Sequence, residues 1–239
     1  MTTAIAPKRF GWSSLGTLTR SSTVRGPIRP VGFGGGERPA PLRASDRVAA
    51  FEIVMLLRCI APIASRRRVI SHQPGPRLTP DPCGLLAEFN HARPAYRLVR
   101  LLGMLDIDAR VERRFDGGRH RYELYRVMVA AGCGEVLRGI LDQAWRTGYL
   151  LICRSAGRAL PRWQQRDRRA LAVAAWRAAL MAAGRRRSTS LALRLAEPET
   201  TAVLVNAARL MGVQTRAQTR PGYQLLSVCT DAHYQQLLA

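Results

Sequence analysis

Acidic side chains are scarce in this chain and lysine is nearly absent. Asp and Glu together number 16 against 38 Lys and Arg, which leaves a formal charge of +22 at pH 7. Lys8 is the single lysine, so 37 of the 38 basic residues are arginine. A surface this basic repels itself and suits a polyanion, either nucleic acid or an anionic membrane. The lysine deficit has a second source, a GC-rich genome in which arginine codons accumulate without selection for binding. Long apolar runs are missing too. The stretch from Ala170 to Gly184 is broken by Arg177 and makes about 22 Å of helix, short of a bilayer span. The N-terminus lacks the compact apolar segment of a secretory signal. Cysteine is sparse and unpatterned: Cys59, Cys83, Cys133, Cys153 and Cys229 form no CxxC pair and have no histidine at metal-ligand spacing. Free buried thiols in a reducing cytoplasm are expected, with no structural zinc.

What is present divides the chain. Residues 1–43 carry Gly, Pro, Ser and Thr throughout, with FGGGERPAP at Phe33–Pro41 and no hydrophobic period. They read as a disordered basic arm, with an organellar transit segment as the alternative. From Ser45, a candidate N-cap, apolar residues recur at helical spacing until Pro62. A short strand over Arg68–Ser71 and a Pro-rich loop follow, then GLLAEF as a strand. Asn90 is placed to cap a helix that stops at Gly103. DIDARVERRF and RHRYELYRV flank Asp116-Gly117-Gly118, a strong hairpin signal. GEVLRGILDQAWRTG reads as a helix. In the second half, Arg168–Ala183 reads as a helix. TSLALRLA sets Leu191, Leu193 and Leu195 on one strand face, and Glu197-Pro198 opens a helix ending at Gly212. VQTRAQT and YQLLSVC form a hairpin about RPG, and Thr230 caps a last helix.

The two halves repeat one pattern of helix, strand, helix, hairpin and helix. LLGMLDIDARVERRFDGGRHRYELYRV corresponds to LMGVQTRAQTRPGYQLLSV, and Arg66-Arg67-Arg68 corresponds to Arg185-Arg186-Arg187. This is an internal duplication, with a first repeat at 44–146, a linker at 147–167 and a second repeat at 168–239. The fold class expected is α+β, a duplicated αββαββα-type arrangement with pseudo-twofold symmetry. Its first helices pair at the centre, where the alanines of AVAAWRAALMAAG allow close approach. A monomer holding an internal pseudo-dimer follows.

Several segments then resemble a known family. Ala174–Leu180 with Gly184, Ser188–Leu191, PETTAVLVNAARLMGV, DGGRHRYELYRV and Arg146-Thr147-Gly148 together are similar to the N-terminal part of the WhiA sporulation-regulator family, whose fold is that of LAGLIDADG homing endonucleases. The resemblance runs from about Ser45 to Ala239. In active LAGLIDADG nucleases an acid at the end of each central helix holds a divalent metal. The helix ends expected here are Ala64-Ser65 and Ala183-Gly184, and no Asp or Glu occurs between Glu52 and Asp81 or between Asp167 and Glu197. The resemblance therefore implies a nuclease scaffold without its catalytic acids, and a regulator of sporulation or cell division rather than an enzyme. The family's C-terminal helix-turn-helix has no room after the second repeat.

No catalytic residue, metal or cofactor is expected. A GxSxG elbow is absent, and Cys133 has no nearby histidine to activate it. Asp106, Asp108 and Glu112 are expected to form a carboxylate row along one strand face, either a metal patch or a set of partners for neighbouring arginines. The expected partner is double-stranded DNA in the nucleoid, with no membrane contact. The candidate phosphate contacts are Arg66, Arg67, Arg68, Arg113, Arg114, Arg119, Arg121, Arg185, Arg186, Arg187, Arg216 and Arg220. The alternatives are a protein-interaction module that binds another transcription regulator or an RNA polymerase component, and a nuclease that recruits acids from elsewhere.

Overall fold

The computed structural model describes residues 42–60, 80–81, 84–116, 122–154, 160–187 and 190–228. The basic arm up to residue 41, the strand expected at Arg68–Ser71 and the helix expected after Thr230 lie outside them.

Two helices with long apolar stretches must be central, because such stretches do not suit water. The first is α1 (Ala44–Cys59), where Ala49 to Leu57 are consecutively buried. The second is α4 (Arg162–Ala183), which buries Leu171, Ala172, Ala174, Ala175, Trp176, Ala178 and Ala179. They pack on each other as the central pair. The alanines of α4 let Phe51, Ile53, Met55 and Leu56 of α1 become fully buried, each side chain contributing roughly 1.5–3 kcal/mol. The indole of Trp176 donates from Nε1 to the Leu204 carbonyl at 3.0 Å, so its one polar atom is satisfied inside the core.

Around this pair the elements repeat. The first half continues with β1 (Leu85–Phe89), α2 (Ala92–Gly103), β2 (Ala109–Asp116), β3 (Tyr122–Val129) and α3 (Gly134–Tyr149), which runs on as a π-helical turn over Leu150–Arg154. The second half continues with β4 (Gly184–Arg187), β5 (Ser190–Leu195), α5 (Pro198–Leu210), β6 (Thr215–Arg220) and β7 (Tyr223–Val228). The strand orders are β1-β3-β2 and β4-β5-β7-β6, all antiparallel. Thus β5-β7-β6 repeats β1-β3-β2, and β4 is an addition at the edge of the second sheet. The fold is α+β and duplicated about a pseudo-twofold between α1 and α4.

The repeat extends to backbone detail. After α2 the Ile107 amide donates back to the Leu102 carbonyl at 3.0 Å, and Asp106 has φ +57°. After α5 the Val213 amide donates to the Ala208 carbonyl at 2.9 Å, and Gly212 has φ +75°. Both ends are Schellman closures. The left-handed residue that matches Gly212 is therefore Asp106, three positions beyond the Gly103 where α2 stops.

Other boundaries also shift. The N-cap of α1 is Arg43 rather than Ser45, which lies inside the helix, and that of α2 is His91 rather than Asn90. Helix α1 ends at Cys59 and the chain turns extended at Ile60, ahead of Pro62, so Ala64-Ser65 is not its end. Helix α4 starts at Arg162, after Pro161 at the N-cap, and it takes in residues expected in the linker.

Ion pairs tie the helices together. Glu52 of α1 is 1% exposed. It accepts from Arg97 of α2 through both carboxylate oxygens, at 2.7 and 2.8 Å, and from Arg177 of α4 at 3.3 Å. These bonds hold the Arg97 guanidinium above its ordinary pKa. At the other end of α1, Arg58 pairs with Glu197 at the start of α5, and its guanidinium lies 3.7 Å from the centre of the Trp145 ring.

Candidate nucleic-acid interface

Strand alternation sorts the candidate arginines between two faces. In the first sheet α2 packs on the face that carries Val111, Val127 and Val129. By register, Ala109, Val111, Arg113 and Phe115 of β2 belong to that face, and Arg110, Glu112 and Arg114 belong to the other. Arg113 and Arg114 thus point in opposite senses and cannot contact a duplex together. Arg114 is exposed on the outer face, in register with the buried Leu124. Glu112 is in register with Arg126, and Arg126 with Glu88. This row is closed by ion pairs, Arg126 to Glu88 at 2.6 Å and Arg110 to Glu112 at 2.8 Å.

Arg113 sits on the helix side and is exposed. It pairs with Glu123 and lies 5.1 Å from the Phe115 ring. Glu123 also accepts from the Tyr125 hydroxyl at 2.6 Å. That bond and then Arg113 hold the Glu123 carboxyl below its ordinary range, while Glu123 in turn raises the Tyr125 hydroxyl and the Arg113 guanidinium. Tyr96 and Phe115 are both largely exposed on this flank.

The second sheet sorts differently. Leu191, Leu193 and Leu195 are buried with Leu226 and Val228 on the helix face. The alternate positions are Ala192 and Arg194 of β5, Arg216, Gln218 and Arg220 of β6, and Tyr223, Leu225 and Ser227 of β7. In β4, Arg185, Arg186 and Arg187 pair in register with Ala192, Leu191 and Ser190 of β5. Arg216 and Arg220 are exposed. The Arg220 guanidinium donates to Gln218 at 3.2 Å, and Arg194 lies 5.1 Å from the Tyr223 ring. No carboxylate occupies an outer position of this sheet among the described residues.

Of the twelve candidates, then, Arg114, Arg216 and Arg220 fall on outer strand positions and Arg113 on a helix-side position, while Arg185, Arg186 and Arg187 make up most of β4. Arg66, Arg67, Arg68, Arg119 and Arg121 lie outside the described residues. Arg110, Arg126 and Arg194 also occupy outer positions, although the sequence reading did not select them. Arg194 had a signal, since the period of two that buries Leu193 and Leu195 turns the residue between them outward.

Near the pseudo-twofold, a cleft of about 150 Å³ opens between β1, the start of α2, the end of α4 and β5. Glu88, His91, Met181, Ala182 and Arg194 are among its lining residues. Glu88 is the one carboxylate lining it, and it is already bound by Arg126. The carboxylate row expected from Asp106, Asp108 and Glu112 does not form. Asp106 is in the left-handed turn, Asp108 precedes the strand, which starts at Ala109, and only Glu112 lies on it. Among the described residues no three His, Cys, Asp or Glu side chains are grouped as metal ligands. Burial pushes the Cys59 thiol up to about 12, with Glu197 adding to the effect. No described helix is long and apolar enough to cross a membrane.

No protein-family profile and no curated protein matches the chain. Among solved structures it is similar to the N-terminal LAGLIDADG domain of DUF199/WhiA, at 12% identity and a TM-score of 0.47, over 84% of this chain and 83% of that one. It is similar to full-length DUF199/WhiA from Thermatoga maritima at 13% identity and a TM-score of 0.48, over 84% of this chain. It spans 56% of the length of that protein. It is also similar to I-DmoI in complex with DNA and Mn, at 10% identity and a TM-score of 0.45, over 80% of this chain and 94% of that one. Likeness at these levels passes on neither activity nor partner.

Proposed function

We propose that this protein binds double-stranded DNA through the outer faces of its two sheets without cutting it. It acts as a transcription regulator or accessory protein of the WhiA type, associated with the nucleoid in the cytoplasm. The observation that carries the reading is the sorting of the arginines. Those set against the helices are spent on carboxylates, as in Arg58 with Glu197, Arg97 with Glu52 and Arg47 with Asp167. On the outer strand positions Arg114 and Arg216 are exposed and form no ion pair among the described residues. Unpaired strand arginines on a chain of charge +22 suit phosphate contacts, which release counterions and position a protein without reading sequence. Cleavage is not proposed, because hydrolysis on this scaffold needs carboxylates beside the axis to hold a metal, and Glu88 there is already paired.

The test is fluorescence anisotropy on a labelled duplex of about 30 base pairs, in which a log-log salt slope of roughly −4 or steeper is expected. Absent binding at low salt overturns the reading. Incubating supercoiled plasmid with the protein and Mg²⁺ or Mn²⁺ tests the second half, and nicking that scales with protein overturns it.

The exposed Tyr96 and Phe115 beside the Arg113–Glu123–Tyr125 cluster favour a second reading. In it the chain is an interaction module for another regulator or an RNA polymerase component, since exposed aromatics flanked by charge are typical of protein contacts. Tyr96→Ala with Phe115→Ala leaves DNA affinity unchanged and abolishes co-purification of that partner if this reading holds.

A further inference from the structure

We infer that the two sheets are unequal partners of the duplex: the second carries the phosphate contacts of the strand faces, and the first contributes little net attraction. The inference rests on the DNA reading above and adds where on the protein the binding charge lies.

Register supplies the comparison. On the outer face of the first sheet, Arg110, Arg114 and Arg126 stand against Glu88 and Glu112, three cations to two carboxylates. On the outer face of the second sheet, Arg194, Arg216 and Arg220 stand against no carboxylate among the described residues. The positions that answer one another across the duplication differ in kind. Glu88 and Glu112 both flank Arg126 in the first sheet, and their counterparts in the second are Arg194 and Gln218, flanking Leu225. An acid–base–acid row has become base–apolar–amide.

The chemistry follows from the pairing. Arg126 and Arg110 are bound to Glu88 and Glu112 before any ligand arrives, so contact with phosphate must break an ion pair and bring a carboxylate to a polyanion. A cation that is already neutralised holds no condensed counterion to exchange and adds little to the salt slope. The partners of the second-sheet arginines are neutral: Gln218 for Arg220 and the Tyr223 ring for Arg194. They hold the side chains in place and keep their charge available. Arg216 has no partner among the described residues. The inner faces do not offset the difference, because they are mostly covered by α2, α4 and α5 and the exposed Arg113 there is paired with Glu123.

Two sets of variants in the full chain test this, with far-UV circular dichroism and thermal melting as controls on folding. One removes second-sheet charge, with Arg194→Gln, Arg216→Gln and Arg220→Gln together. The other removes first-sheet charge, with Arg110→Gln, Arg114→Gln and Arg126→Gln together. In anisotropy titrations on the same duplex, the second-sheet triple is expected to lower the magnitude of the salt slope by about 2–3, and the first-sheet triple by less than about 1. Glu88→Gln with Glu112→Gln is expected to strengthen binding and steepen the slope, because it frees Arg126 and Arg110. Equal losses from the two triples, or no gain from the double carboxamide, overturn the asymmetry and leave DNA binding standing. A wild-type chain that fails to bind at low salt overturns the DNA reading and the asymmetry together.

Discussion

Replacing Arg97 by leucine strands a carboxylate in the middle of the helix layer. Glu52 is 1% exposed and takes two short hydrogen bonds from Arg97. After the substitution it keeps one contact, the 3.3 Å bond from Arg177. Breaking a buried pair from one side costs about 3–5 kcal/mol. The reverse substitution, Glu52→Leu, leaves two arginines whose side chains are 24% and 48% exposed and can turn to water. Its cost is about 1–3 kcal/mol. Arg177→Leu removes only the longer contact from a half-exposed side chain and costs about 1 kcal/mol or less. The double variant Glu52→Leu with Arg97→Leu removes both charges, and recovers at least about 1–2 kcal/mol relative to Arg97→Leu alone. Urea unfolding at neutral pH measures all four, with an unchanged m-value showing that the unfolded state is comparable. An Arg97→Leu variant no less stable than Glu52→Leu refutes the account, because it would mean that the carboxylate reaches water without its partner.

Three further outcomes are expected. At Gly148 an added Cβ meets the Phe51 ring at 2.2 Å in the packed contact of α3 with α1, so Gly148→Ala destabilises by about 1–3 kcal/mol in the same unfolding assay. Asp106, at φ +57°, occupies the position that its counterpart Gly212 fills without steric cost, so Asp106→Gly raises stability by about 0.5–1 kcal/mol and Asp106→Val lowers it. The Cys59 thiol ionises near 9.0 when unfolded and near 12 when folded. Its contribution is therefore whole below pH 9 and lost as pH rises towards 12, with a slope of at most about 1.4 kcal/mol per pH unit. Cys59→Ala flattens that part of the stability profile, and in the native state Cys59 resists thiol reagents at pH 8.

The elements that sequence periodicity reaches were legible. Leu191, Leu193 and Leu195 gave a strand with the correct buried face, and the continuous apolar stretches of α1 and α4 gave the central pair. The boundaries were less so, because caps depend on backbone geometry: Ser45 and Asn90 have capping side chains, yet the caps are Arg43, two residues before Ser45, and His91, one residue after Asn90. The site was legible in composition and not in orientation. Adjacent arginines such as Arg113 and Arg114 look alike in a sequence, and the strand sends them to opposite faces. The pairing of arginine with acid was not legible at all. Glu52 and Arg97 are 45 residues apart, and Arg58 and Glu197 are 139 apart, and no local pattern marks such partners.

Duplication constrains the two halves unequally from place to place. Where the backbone makes the demand the halves still agree, as in the Schellman closures at Asp106 and Gly212 and the buried strand residues Leu86 and Ala87 in β1 and Leu191 and Leu193 in β5. Where a side chain makes the demand they have separated. Glu197 receives Arg58 at the start of α5, whereas His91, in the same place before α2, lines an open cleft. The strand faces belong to the second class, since outward positions meet only solvent or a ligand and the core does not restrain them. A protein that reads a dyad-symmetric site matches two-fold DNA with two-fold contacts. This chain has kept two-fold packing and lost two-fold charge, so on the DNA reading its target is an asymmetric stretch of duplex. A palindromic duplex would then bind no more tightly than a non-palindromic one of the same length.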